Sequence, residues 1–133
     1  MFNNLKEVKL FAEHLIREHN LDDKVSFDFS LRLRNYGYYD DEKHIIVLNA
    51  KICLINLHND AFIEYLILHE VVHALEHVRY KRKTDYHFHG KHFKEIANEI
   101  GCISGKYLDD YFKIKQAKKR INKDEIQSSI DGI

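Results

Sequence analysis

At 133 residues the chain is long enough to bury one hydrophobic core and too short for two independent domains. Its 21 basic and 21 acidic residues cancel, so any attraction to nucleic acid or to a membrane surface has to come from local patches rather than from net charge. Cys53 and Cys102 stand alone without C-x-x-C spacing, which excludes a disulfide framework and a four-cysteine zinc ribbon.

Residues 4–19 place Leu5, Val8, Leu10, Phe11, Leu15 and Ile16 near a 3.6-residue period, which predicts an amphipathic helix capped by Asn3 or Asn4. Across residues 24–34 the period drops to two. Val25, Phe27, Phe29, Leu31 and Leu33 alternate there with Ser26, Asp28, Ser30, Arg32 and Arg34, the pattern of a half-buried strand. Asn35-Tyr36-Gly37 supplies a turn, Tyr38-Tyr39 a short second strand, Asp40-Asp41-Glu42-Lys43 another turn, and Ile45-Ile46-Val47-Leu48 a third strand. Joined by such short turns, the three are expected to form an antiparallel meander.

Asn59-Asp60 is a helix-start signal, and the residues that follow are apolar almost all round through Leu75, as in a helix buried on most sides. Residues 78–88 are polar, basic and aromatic and read as a loop. Helical spacing resumes from Gly90 to Ile100 through Phe93, Ile96 and Ala97, with Gly101 as a natural stop. Tyr107, Leu108, Tyr111, Phe112, Ile114 and Ile121 suggest a last amphipathic helix, and about ten terminal residues are expected to fray. No apolar run approaches the roughly 18 residues of a membrane span, and Met1 to Glu7 shows no signal-peptide pattern. A cytoplasmic α+β protein is expected: a small antiparallel β-meander packed on a buried helix, with N-terminal and C-terminal helices.

The buried helix carries His69-Glu70-Val71-Val72-His73. Residues four apart lie one above the other on a helix, so both imidazoles can reach one metal ion. Glu70, beside the first ligand, is placed to take a proton from a water that the metal activates. With ten histidines in the chain, an accidental His-Glu-x-x-His is expected only on the order of 0.05 times. A carboxylate inside a nearly all-apolar helix is also expensive unless something holds it.

A catalytic zinc usually takes three protein ligands and leaves the fourth position to water. A metzincin would need Gly at 76 and His at 79, where this chain has Glu76 and Arg79. A thermolysin-like enzyme would use a Glu about twenty residues downstream, which makes Glu95 and Glu99 candidates. His89, in His89-Gly90-Lys91-His92-Phe93, is the better one, since Gly90 allows a tight turn beside the metal and Phe93 anchors the next helix. His77, His87 and His92 are weaker alternatives.

These paired motifs, His69-Glu70-Val71-Val72-His73-Ala74 and His89-Gly90-Lys91-His92-Phe93 with Gly101 closing the helix, resemble the SprT-like (Spartan-type) zinc metallopeptidase domains. Gly37-Tyr38-Tyr39-Asp40 and Ile45-Ile46-Val47-Leu48-Asn49 are similar to that family's strand pair and its Leu-Asn junction into a helical segment. The resemblance covers residues 1–112, read as the metallopeptidase domain, with 113–133 as a basic helical extension and frayed tail. It implies His69, His73 and His89 as ligands of one catalytic Zn2+, Glu70 as general base, and a protein or peptide substrate. The four-cysteine ribbon of many bacterial relatives is absent from these 133 residues.

Two basic runs remain, Arg79-Tyr80-Lys81-Arg82-Lys83 and a second from Lys113 to Lys123 with no acid. Each reads first as a solvated helix face or loop. The resemblance adds DNA contact, since some relatives cleave proteins crosslinked to DNA. The alternative function is a DNA- or protein-binding module in which zinc only braces the fold, with His77, His92 or Glu95 as a fourth ligand. Tyr36, Tyr38, Tyr39, Tyr80 and Tyr86 are candidates for stabilising an oxyanion, and the sequence singles out none of them.

Overall fold

A computed structural model describes residues 1–81, 89–102 and 123–133. Among the described residues the architecture is α+β, with five helices and one three-stranded sheet. Helix α1 (Leu5–Glu18) starts at Asn4, whose side chain accepts a hydrogen bond from the Glu7 backbone N–H. Its buried face is Leu5, Val8, Ala12, Leu15 and Ile16. Leu10, expected on that face, is 57% exposed; Ala12 holds the inward position instead.

Strand β1 (Ser26–Ser30), strand β2 (Gly37–Asp40) and strand β3 (Ile45–Asn49) make a mixed sheet in the order β1-β3-β2. The antiparallel meander is therefore corrected. β2 and β3 form the expected antiparallel hairpin, but β1 runs parallel to β3, Phe27 opposite Ile46 and Phe29 opposite Leu48. The reason lies in burial. β3 is an unbroken apolar run, buried from Ile46 to Asn49, and such a strand belongs in the middle of a sheet with both faces covered. β1 and β2 bury one side each and take the edges. The connection across residues 31–36 passes over the end of β3, where Asn49 fastens it. Asn49 Nδ2 donates to the carbonyls of Leu33 and Asn35, and its backbone N–H donates to Tyr36. Gly37 is required by close approach, because a Cβ there would lie 2.6 Å from a Leu48 methyl and 2.8 Å from the Val47 carbonyl oxygen.

Asn49 also caps helix α2 (Ala50–Ile55), accepting from the Ile52 N–H. Helix α3 (Asp60–Tyr80) is capped by Asn59 and buries every residue from Tyr65 to Leu75 except His69. Each such apolar side chain contributes roughly 1.5–3 kcal/mol, so α3 is held by the core on nearly all sides, packed on α1, β2 and β3. It runs past residue 78 to Tyr80, further than its apolar pattern suggested. Helix α4 (Lys91–Ile100) packs along α3 and ends at Gly101 in the left-handed region, with the Cys102 N–H bonded back to Ala97. That closure is a Schellman motif.

The sequence elements at 82–88, and the helix suggested from Tyr107 to Ile121, lie outside the described residues. The chain end departs from the expected fraying: Lys123–Asp131 forms helix α5, with Ile126 buried against the core beside α1 and α2. No helix among the described residues is long and apolar enough to cross a membrane.

Candidate metal centre

The α-helical repeat sets His69 and His73 on one face of α3, their ring centroids 5.1 Å apart. Gly90 ends the approach to α4 in extended backbone and caps that helix, which turns His89 back over the same face. His89 lies 4.8 Å from His69 and 5.2 Å from His73, ring to ring. The three form a nearly even triangle. One donor atom from each lies within 4.8 Å of the others, the arrangement of a possible metal site. Nitrogens bound about 2.1 Å from one zinc lie closer together than that, and the exposed His89 is the ring with room to swing inward. Phe93 anchors α4 as expected and also backs the whole triangle, stacked on His89 at 4.1 Å and 4.6 Å from His73.

Burial tunes the donors. Desolvation, helped by the neighbouring His89, pushes His69 down to about 4. Desolvation and then the other two imidazoles push His73 down to about 3. His89 is lowered too, chiefly by desolvation and also by Lys94. Neutral imidazole is the form that binds a metal, so all three are held ready for one. Glu70 is 3% exposed yet borders the same cleft. Desolvation lifts its carboxyl to about 8, and its Oε2 has no hydrogen-bond partner among the described residues. An orphaned buried carboxylate oxygen beside three converging imidazoles fits a site that holds a cation and a water. The donor set, all nitrogen with one open side, suits zinc.

The alternatives fall elsewhere. Glu99 chelates Arg79 with contacts of 2.8 and 3.1 Å, tying the far end of α4 to the end of α3. Glu95 faces Lys91 and His92 on the outer side of α4, and His92 stacks on Tyr80 at 3.7 Å. His77 turns to the hairpin: its Nδ1 lies 2.9 Å from the Tyr39 hydroxyl, which also lies 3.3 Å from His44 Nδ1. His87, Tyr86, Arg82, Lys83 and residues 113–122 lie outside the described residues. Of the first basic run, Arg79 is already engaged by Glu99.

A cleft of about 410 Å³ opens over the triangle. α3 supplies one wall with Tyr65, Leu66, His69, Glu70 and His73, while Arg34, Asn35, Tyr36 and Gly37 supply the facing wall. Of the candidate tyrosines among the described residues, Tyr36 is the one that borders this cleft. Arg34 was hidden in the sequence as the polar partner of a strand alternation that in fact stops at Ser30. Cys53 is buried in the core, and Cys102 packs near enough to Glu70 for that carboxylate to help push its thiol up to about 12, after desolvation.

A family model described as the SprT-like family matches residues 5–119. Among solved structures, the chain is similar to the metallopeptidase zymogen of Methanocaldococcus jannaschii, jannalysin. The match has 18% identity and a TM-score of 0.54, covering 83% of this chain and 95% of that one. At that identity the likeness speaks for the fold. No curated protein matches the chain.

Proposed function

Since the chain belongs to the SprT-like family, we propose that it is a zinc-dependent metallopeptidase that hydrolyses peptide bonds with Glu70 as general base. The convergence of His69, His73 and His89 on a cleft that Glu70 also borders carries this reading. The name of the structurally similar jannalysin, a metallopeptidase zymogen, agrees with it. A zinc ion held by the three imidazoles would polarise the scissile carbonyl and bring the attacking water towards a pKa of about 7.

The chain's own groups do the rest. Glu70 accepts the proton of the attacking water at Oε2, which has no partner among the described residues, and delivers it to the leaving amine. The positive charge of a bound cation favours the ionised form of that carboxylate, against the upward push of burial. Phe93, Leu66 and Tyr65 keep the surroundings of the rings apolar, which strengthens each electrostatic contact inside. A purely structural zinc would need a fourth side chain. Against that alternative, His77 is occupied by Tyr39 and Glu95 points to Lys91 and His92.

The domain is taken as residues 1–112 with 113–133 as its extension. The family match runs past that boundary to residue 119, and α5 packs back on α1. DNA contact through residues 79–83 and 113–123 belongs to the same proposal and predicts steep salt dependence. The central test uses purified protein with its metal content measured. The parent protein should carry one zinc and cut a loosely folded protein, with chelation stopping it. Glu70→Gln should keep the zinc and lose at least about 100-fold in rate. Undiminished cleavage by that variant would remove Glu70 from the mechanism.

A further inference from the structure

The wall facing α3 carries a charge that the proposed chemistry leaves unused. Arg34 borders the cleft with the three histidines and Glu70, is exposed, and has no carboxylate partner among the described residues. Arg79 shows the contrast, since Glu99 holds it with both oxygens. Among the described residues, the one carboxylate in the cleft lining is Glu70, which is almost wholly buried. Nothing among the described residues of the lining neutralises the guanidinium.

The backbone that carries it is also held. The carbonyls of Leu33 and Asn35, on either side of Arg34, both accept from Asn49 Nδ2, and the Tyr36 carbonyl accepts from the Asn49 N–H. A guanidinium on a pinned backbone is a fork of donors whose natural complement is a carboxylate. Preorganisation of this kind cuts the ordering cost of binding.

We propose that Arg34 selects peptides carrying a carboxylate close to the scissile bond. The inference rests on the peptidase reading for what enters the cleft. The carboxylate has two possible sources, an Asp or Glu side chain or a free C-terminus, and both offer the same planar pair of oxygens. A lysine at the same place would meet like charge.

C-terminally amidated peptides with Glu, Gln or Lys walked across the positions flanking the cleaved bond test the idea, together with a Gln peptide whose C-terminus is free. Each is measured twice: as kcat/KM with the zinc-loaded parent, and as affinity for zinc-loaded Glu70→Gln by calorimetry. At one position Glu should exceed Lys on the order of tenfold in both measurements, and Arg34→Glu should invert the ratio. Inversion cannot come from a damaged fold. Preference for the free C-terminus instead, lost in Arg34→Glu, assigns the carboxylate to the chain end and equally supports the proposal. Affinity ratios near one, no binding, or a preference unchanged in Arg34→Glu overturn it. A uniform loss across all peptides also overturns it, since Arg34 would then serve the reaction and not the sequence. If the affinity ratio holds while no peptide is cut, the peptidase reading fails and the carboxylate preference stands.

Discussion

Helix α3 carries two histidine clusters on one face, and they have different neighbours. His69 and His73 look towards His89, backed by Phe93 in an apolar setting. His77, one turn further along, looks towards the sheet, where it meets the Tyr39 hydroxyl and stacks at 5.5 Å on His44. A hydroxyl has one proton, so Tyr39 can donate to one of these imidazoles and must accept from the other. That end of the helix is hydrogen-bonded to the hairpin, while the triangle faces the cleft that Glu70 also borders. Four-residue spacing puts side chains on a shared face; what comes to meet that face decides their chemistry.

The contrast is broken most decisively by metal binding. His89→Ala should weaken zinc affinity by at least about 100-fold, whereas His77→Ala should leave the stoichiometry at one. Equal loss in the two variants would merge the clusters into one site. Metal analysis after dialysis reads the outcome.

Next comes pH, measured as chemical-denaturation midpoints of the metal-free protein. His69 and His73 are depressed in the fold, to about 4 and about 3 from 6.5, so the unfolded chain binds more protons and stability falls as pH drops below about 6.5. Glu70 is raised from 4.5 to about 8, so the folded state binds more protons and stability falls as pH rises from about 4.5 to about 8. Below 6.5 the two imidazoles outweigh the one carboxyl, and above it the carboxyl acts alone. Stability should therefore peak near pH 6.5. Zinc should erase the decline on the alkaline side. A curve that rises steadily to pH 8 without metal would show that Glu70 has a partner outside the described residues.

Smaller effects sharpen the hairpin half. Tyr39→Phe keeps the buried ring and removes both hydrogen bonds; His44 is exposed and can turn to water, so the cost should be roughly 0.5–1.5 kcal/mol of unfolding free energy with zinc affinity unchanged. Arg79→Ala removes an exposed pair, and its cost should stay below about 1 kcal/mol. A larger loss, seen in thermal melts, would make the α3–α4 clasp part of the metal site's support.

Much of this was legible one element at a time. The caps at Asn4, Asn59 and Gly101 and the spacing of His69 and His73 are local features, and local physics decides them. His89 was readable because Gly90 marks a turn and Phe93 an anchor, both within four residues of it. The sheet order was not. Alternation in β1 and unbroken apolarity in β3 state how each strand is buried, but the choice of neighbour depends on where residues 31–36 cross, and that rests on Asn49, far along the chain. The same long-range pairing hid Arg34, whose place opposite α3 no periodicity encodes. Ile126 and Ile130, two apolar residues one turn apart among polar ones, gave too little pattern to announce α5.

Asn49 concentrates several jobs in one amide group. It ends the central strand, begins α2 and grips the loop that borders the cleft with α3. A bulky guest pressing that loop outward would pull on the same side chain that caps the first turn of α2. The width of the entrance is thus geared to a short helix on which α5, at the chain's far end, also leans.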